Sequence, residues 1–242
     1  MPNMLAEPVS ANVDMKSVDE PISGLKNEAG DAEKKDADAS SSSSSLLGAG
    51  PSVSLEVLHP LQHTWVLWYD SSRGKSNQQT WGDNLKKIST FSTVEDFWRL
   101  YNNICTASNI GPSSNYHLFK KGIDPAWEDP VNLKGGKWIF PSPTKARAAR
   151  LDTFWLWTVL ACIGENFEES EDVCGAVVSI RKQQDKICLW TRSAHNQAVS
   201  MSIGRQWKML LELEPTQTLG YQVHADAMKH NSSFNNRMHY QV

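Results

Sequence analysis

The apolar positions alternate between two periods along the chain. Residues 64–69, Thr-Trp-Val-Leu-Trp-Tyr, are aromatic and β-branched and read as a strand. A polar loop around Gly74 and Asn77 follows, and a second short strand is expected from Trp81 to Ile88. Ser92 with Glu95, or Thr93 with Asp96, fits a capping box, so a helix should start there. Stepping about 100° per residue puts Phe97, Leu100, Tyr101 and Ile104 on one stripe. Val94 and Trp98 fall beside that stripe, as a ridge leaning toward solvent. Strands are expected at 116–120 and at 136–140, the latter closed by Pro141 and Pro143. A helix at 151–163 is apolar nearly all round, so it is either fully buried or packed against something outside the domain. A hairpin with arms at 175–181 and 186–191, a helix over 196–213 and a strand at 219–224 complete the pattern. Connections that look mostly short and hairpin-like suggest an α+β fold, an antiparallel sheet with helices on one face.

Composition divides the chain. All 22 aromatic residues lie at Trp65 or later, and 10 of them are tryptophan. Residues 1–54 carry four lysines against nine carboxylates, net −5, and end near the serine run Ser40 to Ser45. Such a segment cannot bury enough apolar area to offset chain entropy, so we read 1–54 as a disordered tail and 55–242 as the folded domain. The whole chain has net charge −3, which argues against indiscriminate phosphate binding. Met1 to Ser10 lacks the apolar core of a signal peptide, and the longest near-apolar run, 154–164, is too short to span a bilayer. The expectation is a cytoplasmic protein, with the nucleus as a second location. The four cysteines form no Cys-x-x-Cys pair and the histidines show no ligand spacing, so buried reduced thiols and no metal or cofactor are expected.

Enzyme signatures are poor. Gly74-Lys75-Ser76 ends like a phosphate loop, but position 69 is Tyr69 where that motif needs glycine. The unusual feature is tryptophan in polar loops. Trp81 follows the polar stretch 73–80, and Trp127 lies between Pro125 and Pro130 beside Glu128. A core or lid role is the commoner use of such residues. Two exposed indoles and a carboxylate would also suit a flat cationic heterocycle, stacked on both faces and hydrogen-bonded at its edge. Arg181 and Lys186, on opposite arms of the hairpin, with Lys137, Lys145, Arg147 and Arg150, are by default solvated; converging on a stacking slot, they would hold a phosphate chain. Leu156 and Leu160, one turn apart, could extend the Trp98 ridge into an apolar patch for a partner helix.

The stretch His59-Pro60-Leu61-Gln62, Trp65, Trp68, then residues 92–98 (Ser-Thr-Val-Glu-Asp-Phe-Trp), Trp127-Glu128-Asp129, Gly135-Gly136-Lys137-Trp138, Gly164-Glu165, residues 174–178 (Cys-Gly-Ala-Val-Val) and Ile203-Gly204 closely resembles the eukaryotic translation initiation factor 4E family, over about 55–242. The resemblance implies a curved, mostly antiparallel sheet of about eight strands with three helices on its convex face. It implies binding of the 7-methylguanosine cap of messenger RNA. Trp81 and Trp127 would sandwich the methylated base, Glu128 would accept its N–H groups, and Trp190 would meet the methyl. Arg181, Lys186 and Lys137 would hold the phosphates, although Lys137 stands where Arg is usual and Gln183 where animal members have Lys. On the dorsal side, His59, Pro60, Val94, Trp98, Leu156, Leu160 and Gly164 would bind scaffold initiation factor 4G and 4E-binding proteins through a Tyr-x-x-x-x-Leu-hydrophobe helix. Trp157 departs from the Glu common there in animals. Ser232 or Ser233 lies near a regulatory phosphoserine of animal members, and the insert 73–79 lengthens the Trp81 loop. The resemblance implies a binding protein, monomeric, with no membrane partner. A cap-binding repressor that ignores the scaffold factor is the alternative, and a cap hydrolase is a third reading opposed by the lack of a metal-binding carboxylate cluster.

Overall fold

The computed structural model describes residues 57–71, 84–143, 150–230 and 237–242. These belong to one compact unit, Ser54–Val242. The tail to residue 54, the insert 73–79, Trp81, Lys145, Arg147, Ser232 and Ser233 lie outside the described residues.

Eight strands form one curved antiparallel sheet: β1 Pro60–Ser71, β2 Lys86–Thr93, β3 Ser114–Lys120, β4 Gly136–Pro143, β5 Val173–Ile180, β6 Gln184–Thr191, β7 Gly220–Val223 and β8 Tyr240–Gln241. Their spatial order is β2-β1-β3-β5-β6-β4-β7-β8. Only β1–β2, β5–β6 and β7–β8 are neighbours in both sequence and space. The other four connections cross over, and three of them carry a helix while β3–β4 is a loop, so the hairpin-like wiring expected from the sequence is corrected. Register shifts between Leu67 and Trp68 and between Val173 and Gly175 bend the sheet.

Among the described residues four α-helices are delimited: α1 Val94–Tyr101, α2 Asp152–Ile163, α3 Gln197–Leu210 and a short α4 His224–His230. The fourth was not expected, because 219–224 read as strand to its end. Of the two candidate capping boxes at α1, Thr93 is the N-cap, its hydroxyl accepting from the Asp96 N–H at 3.1 Å. Ile104 lies past the end of α1, not on its stripe. Strand β4 continues through Pro141 to Pro143 where closure at the prolines was expected. Beyond Ile139 it pairs only with β6, so one side of the strand makes no ladder demand there.

Strand periodicity sorts the sheet into two faces. On one, Trp65, Leu67, Tyr116, Leu118, Trp138, Phe140, Val178 and Leu189 join Phe97 of α1, Phe154, Trp155 and Val159 of α2 and Ile203 and Trp207 of α3 in the main core. The Trp138 indole N–H donates to the Ser200 carbonyl at 3.0 Å, and that of Trp207 to the Thr158 hydroxyl at 3.1 Å, so both large rings are buried without losing their hydrogen bonds. Gly204 makes this packing possible: a Cβ there would lie 2.4 Å from the Trp138 ring. Cys162, Cys174 and Cys188 are buried thiols, whereas Cys105 is exposed, which departs from the expectation for all four.

Candidate functional site

The opposite face carries polar and aromatic residues in cross-strand rows fixed by the register. One row runs Val66–Phe119–Gly175–Trp190–Lys137–Gln222. Another runs Asp70–Asn115–Ser179–Lys186–Pro141. Trp190 and Lys186 are four residues apart on β6, so the rows are separated by about 13 Å, a span a nucleotide with an extended phosphate chain covers.

In the first row Gly175 stands between Phe119 and Trp190. Its missing side chain lets the two rings meet across it edge to face, with centroids 5.4 Å apart. A Cβ at Gly175 would fall 2.7 Å from Phe119 Cγ and 2.3 Å from the Leu118 carbonyl oxygen. On its other side Trp190 packs against the His224 ring, centroids 4.1 Å apart. Burial pushes the His224 imidazole down to about 3, with the Lys137 cation adding to the effect. Phe119, Ile123, Ile139, Cys174, Val177, Cys188 and Trp190 form a second, smaller core on this face, and Trp127 and Val131 pack onto it.

Trp127 and Glu128 sit on the β3–β4 loop. Two side chains within the loop hold it. Asp129 accepts from the N–H groups of Asp124 at 2.9 Å and Val131 at 2.8 Å. The fully buried Asn132 amide donates to the carbonyls of Asp124 at 2.8 Å and Ala126 at 2.9 Å. These bonds replace the ladder that a strand would supply, so Trp127 is carried on a fixed turn. Trp127 is half-buried and Glu128 is exposed.

Lys137 is buried, with Nζ 5.9 Å from the ring centroids of both Trp127 and Trp190. Burial holds its ammonium below the usual lysine range, and the nearby Lys186 charge pushes the same way. The structure therefore places Lys137 among the aromatic rings, within electrostatic reach of Lys186. Arg181 lies at the β5–β6 turn and is half-buried. Its Nη1 donates to the Ile180 carbonyl at 2.8 Å, and its Nη2 to Asn115 Oδ1 at 3.0 Å. Burial lowers the Arg181 pKa, while Asp70, Cys188 and Asp185 oppose the shift. Burial also pushes the Cys188 thiol up on this face. Sequence reasoning missed Phe119, Gly175, Asn132, His224 and the Asp70–Asn115–His117 group. Strand register places Phe119, Gly175 and the Asp70–Asn115–His117 group on this face, and tertiary contacts place Asn132 and His224 there.

On the helix side, His59 is joined to α1. Its backbone N–H donates to Glu95 Oε2 at 3.0 Å, and its Nδ1 lies 2.6 Å from Glu95 Oε1. These contacts hold the Glu95 carboxyl near 2. The Val94 N–H donates to the His59 carbonyl at 2.9 Å, tying the residue before Pro60 to the start of the helix. Val94 and Trp98 are each 36% exposed, as a ridge beside the core stripe should be. Trp98 lines an open groove of about 590 Å³ with Val57, Glu95, Arg99, Asn102 and Asn103. Leu156 and Leu160 are half-buried against the main core, and neither they nor Gly164 line that groove. Gly164 ends α2, its N–H donating to the Leu160 carbonyl. Trp157 is half-buried and lines a separate 130 Å³ cavity with Arg150, Phe154, Leu211 and others.

A sequence profile described as "Eukaryotic initiation factor 4E" matches residues 60–239. The chain belongs to the eukaryotic initiation factor 4E family. Among relatives, eukaryotic translation initiation factor 4E-1 of Oryza sativa subsp. japonica is 46% identical over 189 residues, covering 78% of this chain and 81% of the relative. That of Lactuca sativa is 45% identical over 202 residues, covering 84% and 82%. Among solved structures, C. elegans eIF4E-3, in complex with the 4E-binding protein Mextli and a cap analog, superposes with a TM-score of 0.70 at 40% identity, covering 77% of this chain and all of that one. Ascaris suum eIF4E-3 in complex with an m2,2,7G cap gives a TM-score of 0.70 at 41% identity, covering 77% and 99%.

Proposed function

We propose that the chain binds the 7-methylguanosine cap of messenger RNA and delivers the message to the translation initiation machinery. The observation that carries this reading is the second aromatic core, which sits opposite α1, α2 and α3 with Trp127 on its pinned loop, Trp190 in its floor and the Arg181–Lys186 turn at its far end. Trp127 stacks on one face of the methylated base and Trp81 on the other. The positive charge that methylation places on the ring strengthens contact with indole faces. Glu128 accepts the base's N–H groups, the Trp127 backbone N–H donates to its carbonyl, and Trp190 contacts the methyl. Arg181 and Lys186 take the phosphates. Lys137 contributes charge from beneath, and an anion held between it and Lys186 relieves the repulsion between those two cations.

The relatives support both halves of the reading, since C. elegans eIF4E-3 is described in complex with a cap analog and with a 4E-binding protein. A helix of a scaffold factor or 4E-binding protein docks on the Val94–Trp98 ridge, entered through His59 and Pro60. Leu156, Leu160 and Gly164 extend the contact along α2. The protein acts in the cytoplasm and nucleus and performs no catalysis. Fluorescence titration of the tryptophans with 7-methyl-GTP and with GTP tests the reading. 7-Methyl-GTP should bind more tightly by at least tenfold, about 1.4 kcal/mol; equal affinities would overturn it.

A further inference from the structure

Asp70 is 1% exposed and sits on the face that is to receive a polyanion. A buried carboxylate there is costly to desolvate and repels phosphate, so its presence calls for a compensating role. Its hydrogen bonds go to Asn115 and His117 on β3, and it also feels the Arg181 charge. The Asn115 amide nitrogen donates to both carboxylate oxygens, at 2.8 and 3.0 Å, and His117 Nε2 lies 2.6 Å from Oδ1. Both neighbours are buried, Asn115 at 7% and His117 at 5% exposed. An ionised carboxylate only accepts hydrogen bonds, so Asn115 must turn its NH₂ toward Asp70. Its carbonyl oxygen then points the other way, where it accepts from Arg181 Nη2 at 3.0 Å. With the amide reversed, NH₂ would face guanidinium, donor against donor.

We propose that Asp70, held by His117, is a positioning residue: it sets the polarity of the Asn115 amide and so fixes the Arg181 guanidinium for the phosphate chain of the ligand. This rests on the cap reading above, in which Arg181 meets phosphate. The carboxylate's repulsion of that phosphate is offset by fixing the second guanidinium nitrogen, Nη2, of a side chain whose Nη1 is held by the Ile180 and Ser114 carbonyls.

The test is tryptophan-quench titration of the full chain with 7-methylguanosine, which has no phosphate, and with 7-methyl-GTP. Asp70→Asn should weaken 7-methyl-GTP by about fivefold, the scale of one lost hydrogen bond, and leave the nucleoside unchanged. The slope of affinity against salt should fall as well. His117→Leu should behave likewise, while His117→Gln, which keeps an N–H near the carboxylate, should restore the triphosphate affinity. This pair also guards against misfolding in Asp70→Asn. Equal weakening of both ligands would assign Asp70 a merely structural role and overturn the proposal. Unchanged or tighter 7-methyl-GTP binding by Asp70→Asn would overturn it too. A wild-type chain without preference for 7-methyl-GTP over GTP would instead overturn the cap reading, and this inference with it.

Discussion

At the scale of single residues, two positions decide whether the aromatic floor keeps its shape. Gly175 is one, because the Phe119–Trp190 contact passes over it. Gly175→Ala should cost about 1–3 kcal/mol, the usual range for overpacking a filled site. The added Cβ meets the backbone carbonyl of Leu118, which cannot swing away like a flexible side chain. A denaturant melt checks the stability loss, and titration with 7-methyl-GTP should show weaker binding as Trp190 is displaced. His224 is the other. It is held neutral, at about 3, so protonation is disfavoured in the fold relative to the unfolded chain, where it ionises near 6.5. Between those values the unfolded state binds more protons, so stability falls as pH falls from about 6.5 toward 3. The slope from this group is at most about 1.4 kcal/mol per pH unit. Melts at a series of pH values should show it, and His224→Phe, which keeps a flat ring against Trp190, should flatten it.

At the scale of elements, the sequence was informative where one local signal dominates. Residues 64–69 are aromatic and branched and lie within β1; the run of apolar residues at 151–163 becomes α2; Thr93 caps α1. It was silent where the deciding partner is distant. Helix α4 follows β7 directly, and its first residue, His224, is held by Trp190 and by its N–H bond to the Gly135 carbonyl, neither visible in local periodicity. Strand β8 is two residues whose only warrant is pairing with β7. The β3–β4 loop is the functional case. Its tryptophan and carboxylate were legible, but the Asx bonds from Asp129 and Asn132 that hold it were not, because each spans a turn whose shape the residue types alone leave open. Asn132→Ala removes two hydrogen bonds that pin the loop carbonyls of Asp124 and Ala126, a cost of about 0.5–1.5 kcal/mol each. Since the loop packs Trp127 and Val131 onto the second core, the loss should appear as faster amide exchange within 123–135 and weaker 7-methyl-GTP binding. Exchange in α3, packed on the opposite face, should change least.

At the scale of the whole molecule, the sheet separates two kinds of surface. The aromatic rows lie on one side, and α1, with the groove lined by Trp98, lies on the other, with the main core between them. A core packed from Trp65, Leu118, Trp138 and Trp155 is stiff, and nothing in the register requires a side chain of one surface to move when the other is occupied. Binding to one surface can alter the other only through a coupling free energy, and that coupling must be reciprocal. The two activities should therefore be separable by mutation. Trp98→Ala removes a half-exposed indole from the centre of the ridge and should weaken a Tyr-x-x-x-x-Leu-hydrophobe peptide by about 2 kcal/mol or more, roughly thirtyfold, as aromatic anchors do. The 7-methyl-GTP affinity of that variant should match the wild type within about twofold, or 0.4 kcal/mol. Trp127→Ala should do the reverse, costing about 1–3 kcal/mol of cap affinity and leaving the peptide affinity intact. Calorimetric titrations of both variants with both ligands complete the cycle. If either substitution moved both affinities by comparable factors, the sheet would be transmitting a conformational change, and the two surfaces would be one coupled device.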